Sequence, residues 1–290
     1  MTSGMMTTGA KDFASSTAST STGSYLIPRQ LYGVVEKSVR RKLLLRGLAA
    51  KIFGPKDIPG RAFVAPLQVD GNFMDVDPVA EGSVVPLTES TFENITITPV
   101  KYGARIAITK EMEEDGIISL ADFYAEQAGY QFAVNEESLI VTQLDAASTA
   151  ASHDVSNSNA TLPISDVTEA MQNLEADNYE PSHIIVGVEV LNDLRNLDAF
   201  FDASKSGGQN AVSTRMPGSI YGMKVVVSNS VTSTLAYVID ARHAFVGAEK
   251  RPLTIERYAE PQYDTGYVVA TQRIAYRYWR ANATSEITTS

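Results

Sequence analysis

Apolar positions are nearly missing from residues 1 to about 24, where Ser, Thr, Gly and Ala dominate. Such a stretch buries too little to offset the entropy of ordering and is expected to be disordered in the free chain. Tyr25-Leu26-Ile27-Pro28 ends it, and Pro28 suits the first turn of a helix whose body runs from about Gln30 to Leu45. Gly54, Pro55, Pro59 and Gly60 then break the chain, and the stretch to Pro99 mixes short β-like runs with turn residues, as an extended excursion does. Alternation in Ile95-Thr96-Ile97-Thr98, and of Ala104, Ile106 and Ile108 with Arg105, Ala107 and Thr109, predicts half-buried strands framing that excursion.

Ser119, with Asp122 three residues on, reads as the N-cap of a long helix to about Leu144. Its large apolar residues, among them Leu120, Phe132, Leu139, Ile140 and Leu144, spread over more than one stripe, as in a helix that touches several layers. A small, polar linker is expected over 146–162, then a helix capped by Ser165 and ending near Ala176, a buried strand at Ile184-Ile185-Val186, and a helix from Val188 to Leu197. Ser204 to Gly218 reads as a mobile loop, and Ser219–Ser228 and Leu235–Asp240 as strands, completing a compact α/β unit. The end is β-rich: Leu253 to Tyr258, then a long strand from about Tyr267 to Arg280 in which Ile274, Tyr276 and Tyr278 face opposite Arg273, Ala275 and Arg277. The whole reads as α+β, without a repeat at any solenoid period.

With 290 residues and 44% hydrophobic composition, the chain has room for real cores. Cysteine is absent, which excludes a disulfide framework and thiolate metal sites and fits a reducing compartment. The N-terminus lacks the pattern of a secretory signal, so the chain is expected to be made in a cytosol, and no apolar run approaches a bilayer span. A net charge of −10 argues against a classical DNA-binding domain, whose affinity rests on cations neutralising phosphates.

Local signatures of chemistry are absent: no GxSxG, HExxH, Walker loop or GxGxxG after a strand occurs. His153, His183 and His243 stand far apart, without partners at metal-ligand spacing, and read as ordinary surface or hydrogen-bonded residues. Glu111, Glu113, Glu114 and Asp115 could pair carboxylates or hold a hard cation, but an acidic turn at a helix N-terminus is the simpler reading. No catalytic residue, cofactor or metal is expected. A hydrolase or ligand-binding protein, with Ser, Asp and His gathered onto the middle α/β unit from distant positions, is the remote alternative.

Charge is unevenly placed. Between Arg29 and Arg61 nine basic residues, Arg40, Arg41 and Lys42 among them, are opposed only by Glu36 and Asp57. Between Ala62 and Val100 there is no basic residue, while Asp70, Asp75, Asp77, Glu81, Glu89 and Glu93 are acidic. A positive element is followed by a negative excursion. They could be two solvated faces, or they could meet between copies, with Asp70, Asp75, Asp77 and Glu81 against Arg40, Arg41 and Lys42.

The order of parts resembles the HK97-fold major capsid proteins of tailed phages and related viruses. The residues that carry the resemblance are Gly23-Ser24-Tyr25-Leu26-Ile27-Pro28, Ala80-Glu81-Gly82 with Thr91-Phe92, Lys101 and Gly103 through Ile108-Thr109-Lys110-Glu111, Gly218-Ser219-Ile220-Tyr221-Gly222, Arg251-Pro252-Leu253-Thr254-Ile255 and Arg273-Ile274-Ala275-Tyr276-Arg277. It implies an N-terminal arm and first helix over 1–56, an extended β-hairpin, the E-loop, over 57–100, and a peripheral domain with a long spine helix over 101–155 and with β strands over 250–280. An axial α/β domain falls at 156–249 and a C-terminal tail at 281–290.

The implied function is structural: self-assembly into hexamers and pentamers of an icosahedral shell that encloses double-stranded DNA without reading its sequence. Localisation would be the virion, after assembly in the host cytoplasm, with portal and scaffold proteins as partners, room for a decoration protein, and no membrane. An encapsulin nanocompartment is the related alternative. Family members that cross-link do so from a lysine in the E-loop, and this chain has none between Arg61 and Lys101, so chain-mail is not expected.

Overall fold

One long helix joins two sheets. In the computed structural model, which describes residues 45–68, 78–85, 87, 92–115, 120–157, 161–197 and 219–289, the chain enters through a 3-10 turn at Leu45–Leu48 and the short strand β1 (Lys51–Phe53). The excursion follows as an antiparallel hairpin, β2 (Phe63–Gln68) with β3 (Phe92–Ile97). Next come β4 (Val100–Thr109), a short helix α1 (Lys110–Glu114) whose first turn Thr109 caps by accepting from the Met112 N–H, and the long helix α2 (Leu120–Ala151). β5 (Asp154–Asn157), α3 (Ile164–Ala176), β6 (His183–Val186), α4 (Val188–Asn196), β7 (Ser219–Ile220), β8 (Met223–Val227) and β9 (Leu235–Ile239) build the middle. Two long strands, β10 (Phe245–Glu260) and β11 (Thr265–Tyr278), and the final strand β12 (Thr284–Thr289) close it.

The first sheet has four strands in the order β1-β10-β11-β4, and the second has six in the order β5-β12-β9-β6-β8-β7. The six-stranded sheet buries both faces. Ile184, Val186, Ala236, Val238 and Ile287 pack with α3 and α4, while Ile185, Tyr237 and Ile239 pack with Ile140 and Leu144 of α2. Continuous apolar runs in β6 and β9 are what such strands require. Phe245, Ile274 and Tyr276 of the four-stranded sheet enter that second core too, so α2 is the element both sheets share. Among its buried positions Ala128, Phe132, Glu136, Ile140, Leu144 and Ser148 recur every fourth residue, with buried Glu137 and Ala147 and half-buried Tyr130 and Val134 to the side.

Several expectations are corrected. The long helix runs seven residues past Leu144, through what reads as a polar linker, because Ala147 and Ser148 are wholly buried and small residues fit where a helix lies close to a sheet. It ends in a Schellman motif: the His153 N–H donates to the Ser148 carbonyl and the Ser152 N–H to that of Thr149, with Ser152 left-handed at φ 59°. α3 ends the same way at Asn178, φ 64°, a residue type that tolerates this conformation. Pro163, not Ser165, is the N-cap of α3, since the Ser165 hydroxyl turns to Asp166 instead.

The strand read across Ser219–Ser228 is a hairpin, split by Tyr221 and Gly222 at positive φ. Residues 281–290, expected as a tail, contain β12, which lies between β5 and β9. Ile287 gives the reason: it is the one aliphatic side chain of β12 and is fully buried in the core with α3. The expected helix over Gln30 to Leu45, apart from Leu45 itself, and the loop over 204–218 lie outside the described residues.

Candidate assembly surfaces

Two adjacent glutamates tie the molecule together. Residues next to each other on a helix point about 100° apart, so Glu136 and Glu137 of α2 reach different partners. Glu136 accepts from Arg46 at 3.0 Å, from the Tyr276 hydroxyl at 3.2 Å and from the Gln272 amide, and Arg46 also bridges to Glu249 at 2.5 Å. Glu137 accepts from the Leu45 N–H at 3.4 Å and from the hydroxyls of Ser228 at 2.7 Å and Ser230 at 3.3 Å. Buried carboxylates persist when paired and hydrogen-bonded. These two fix the incoming chain at Leu45 and Arg46, the four-stranded sheet and the six-stranded sheet to one helix. Burial, and then the Glu136 charge, holds the Tyr276 phenol above its usual range. Sequence reading missed the pair because an EE dipeptide on a helix normally reads as solvated; its only trace was the lack of Gly and Pro around it.

The excursion is anchored and then exposed. Ile97 and Ile58 are buried with Val246 and Ala248, with Phe63 and Phe53 stacked beside them at 4.1 Å. Beyond this base the side chains open to solvent: Val84 is 92% exposed, Val85 73% and Leu87 90%. A lone soluble subunit has no use for such a patch, which marks a contact surface. Glu81, from the expected contact set, lies in an exposed turn just before these residues. Asp70, Asp75 and Asp77, and likewise Arg40, Arg41 and Lys42, lie outside the described residues.

No catalytic constellation accompanies these surfaces among the described residues. His153 pairs with Asp177 at 3.2 Å and His243 with Asp240 at 2.8 Å, while His183 faces Ser182 at 3.0 Å. Glu111, Glu113, Glu114 and Asp115 sit on or beside α1, and among the described residues no group of three or more His, Asp or Glu is placed to hold a metal. An open cleft of about 620 Å³ lies between the base of the excursion and Arg277 to Ala281.

Residues 93–284, about two thirds of the chain, match the phage capsid protein family. The chain belongs to that family. The fold agrees: the capsid protein superposes on the capsid of the cyanophage P-SCSP1u with a TM-score of 0.75 at 12% identity, covering 92% of this chain and 94% of that one. It superposes on that of Mycobacterium phage Adephagia with a TM-score of 0.71 at 12% identity, covering 94% and 99%. The native GTA particle gives 0.70 at 12% identity, covering 93% and 97%. No curated protein sequence matches the capsid protein. Its HK97-type parts are recognisable: the hairpin β2–β3 is the E-loop, α2 the spine helix, and its place is in the virion shell.

Proposed function

We propose that this major capsid protein assembles as hexamers and pentamers into an icosahedral shell around double-stranded DNA, in the host cytoplasm and with portal and scaffold proteins as helpers. Its role is containment and not catalysis. The observation that carries the reading is the E-loop, whose base is locked into the subunit core while Val84, Val85 and Leu87 are left bare, an arrangement stable only when identical copies cover one another. Asp70, Asp75, Asp77 and Glu81 are proposed to contact neighbouring subunits, with Arg40, Arg41 and Lys42 as one counter-surface. Electron microscopy of the expressed chain tests the proposal. Closed particles with ring-shaped capsomers are expected, and DNA in particles purified from infected cells; only small oligomers, or particles filled with a protein cargo, would overturn it.

A further inference from the structure

We infer that Glu286 of β12 is a proton-held clasp: with its proton it fastens the C-terminal strand to Asp145 of α2, and without it β12 and its neighbour β5 loosen from the helix. The device lies within one subunit and does not depend on what the shell encloses.

Strand register brings carboxyls together on one face. Glu286 is paired with Asp154 of β5 on one side and with Tyr237 of β9 on the other, and Tyr237 packs toward α2, which adds Asp145 from above. Like charges paired across a sheet are destabilising. Asp154 accepts from the Ser148 hydroxyl at 2.6 Å, as suits an ionised carboxylate. Glu286 is differently placed: it is nine-tenths buried, Oε1 accepts from the Thr288 hydroxyl at 3.2 Å, and Oε2 is buried and receives no hydrogen bond among the described residues. A buried ionised oxygen without a donor is costly. The Glu286 side chain is nevertheless hydrogen-bonded to Asp145, and two carboxyls can bond in this way only through a proton.

No cation takes the proton's place. Not one Lys or Arg occurs in α2, β5, β9 or β12. The acids of α3, Asp166, Glu169 and Glu175, belong to the helix that packs on the opposite face, around Ile287. His153, just before β5, directs Nε2 to Asp177 at 3.2 Å, and Arg280, ahead of β12, lines the open cleft beside Ala150. Burial, reinforced by Asp145, accordingly holds the Glu286 carboxyl up to about 7, against an ordinary 4.5. Between these values the closed strand keeps a proton that an opened strand gives up, so the clasp tightens as pH falls from about 7 and is loosest above it. The opening is local, because β5 is a four-residue edge strand and β12 is the last strand of the chain.

The test is amide hydrogen exchange of full-chain capsomers, corrected for the intrinsic effect of pH on exchange. Protection over 154–157 and 284–289 is expected to be about tenfold lower at pH 7.5 than at pH 5.5, and at pH 7.5 these amides should exchange faster than those of β11. Glu286→Gln, whose amide donates to Asp145 at either pH, should erase the difference and keep protection at pH 7.5 near the wild-type level at pH 5.5. Asp145→Asn, at an exposed position, should shrink the difference, and it decides the matter if the first variant does not fold. Three results overturn the inference, and each leaves the shell function standing. Equal protection at the two pH values removes the clasp. A difference that survives both variants and disappears in His153→Asn assigns the proton to the His153–Asp177 pair. Exchange of β12 no faster than that of β11 at pH 7.5 means that the strand opens only with the whole subunit.

Discussion

The two sheets of this subunit differ in how they are finished. In the six-stranded sheet, alternate residues of β6 and β9 are buried on both sides, by α3 and α4 on one face and by α2 on the other. In the four-stranded sheet, Val268, Ala270, Gln272, Ile274 and Tyr276 of β11 are buried toward α2, while Tyr267, Val269, Thr271 and Arg273 between them stay half-exposed. One sheet is completed within its own chain. Among the described residues the other is completed on one side only, and its open face is covered only at the end where the E-loop is rooted. A subunit that must be stable alone and sticky in company divides the two tasks between its sheets.

Three measurements sharpen this contrast. The largest effect belongs to the junction where α2 meets both sheets: Leu144, fully buried there, cut to Ala should cost about 2–5 kcal/mol in chemical denaturation of the capsomer. A value near zero would mean that the helix is not the shared support.

Next is a pH effect at the inner end of the six-stranded sheet. Glu286 of β12 faces Asp145 of α2, with Asp154 of β5 and Tyr237 of β9 nearby, and burial, reinforced by Asp145, pushes its carboxyl up to about 7. A carboxyl with a higher pKa folded than unfolded binds its proton more tightly in the native state. The stability that this carboxyl contributes is therefore greatest below the ordinary carboxyl value of 4.5 and falls as pH rises from there to about 7. The fall should be about 1–2 kcal/mol, since Asp145 and Asp154 are exposed and screened by water. Glu286→Gln should flatten that part of the pH profile, and an unchanged slope would assign it to other groups.

The smallest effect is expected on the open face. Thr271→Val should leave unfolding within about 0.5 kcal/mol of wild type. A larger loss would show that the face is already packed within the subunit.

Part of this was readable without coordinates. Alternation at Ile95 to Thr98 and at Ala104 to Thr109 announced β3 and β4, and the unbroken run in β6 announced a strand buried on both faces, because period and continuity report directly which faces meet apolar neighbours. The acidic, lysine-free composition of the E-loop was equally plain. Three other features follow from partners far along the chain. β12 reads as a polar tail, since Thr284, Ser285 and Glu286 are buried only once β9, β5 and the helices α2 and α3 close around the strand. Glu136 and Glu137 read as surface residues until Arg46, Tyr276 and Ser228 arrive from as many as 140 positions away. Lys101, Arg251 and Arg273 belong to three separate segments, and only strand register makes them a row. Sequence by itself determined the local periods, the charge of each segment and the absence of catalytic motifs, because these depend on near neighbours. Tertiary structure decided which polar groups are buried and which charges stand together, because burial and pairing depend on residues that only the fold brings close.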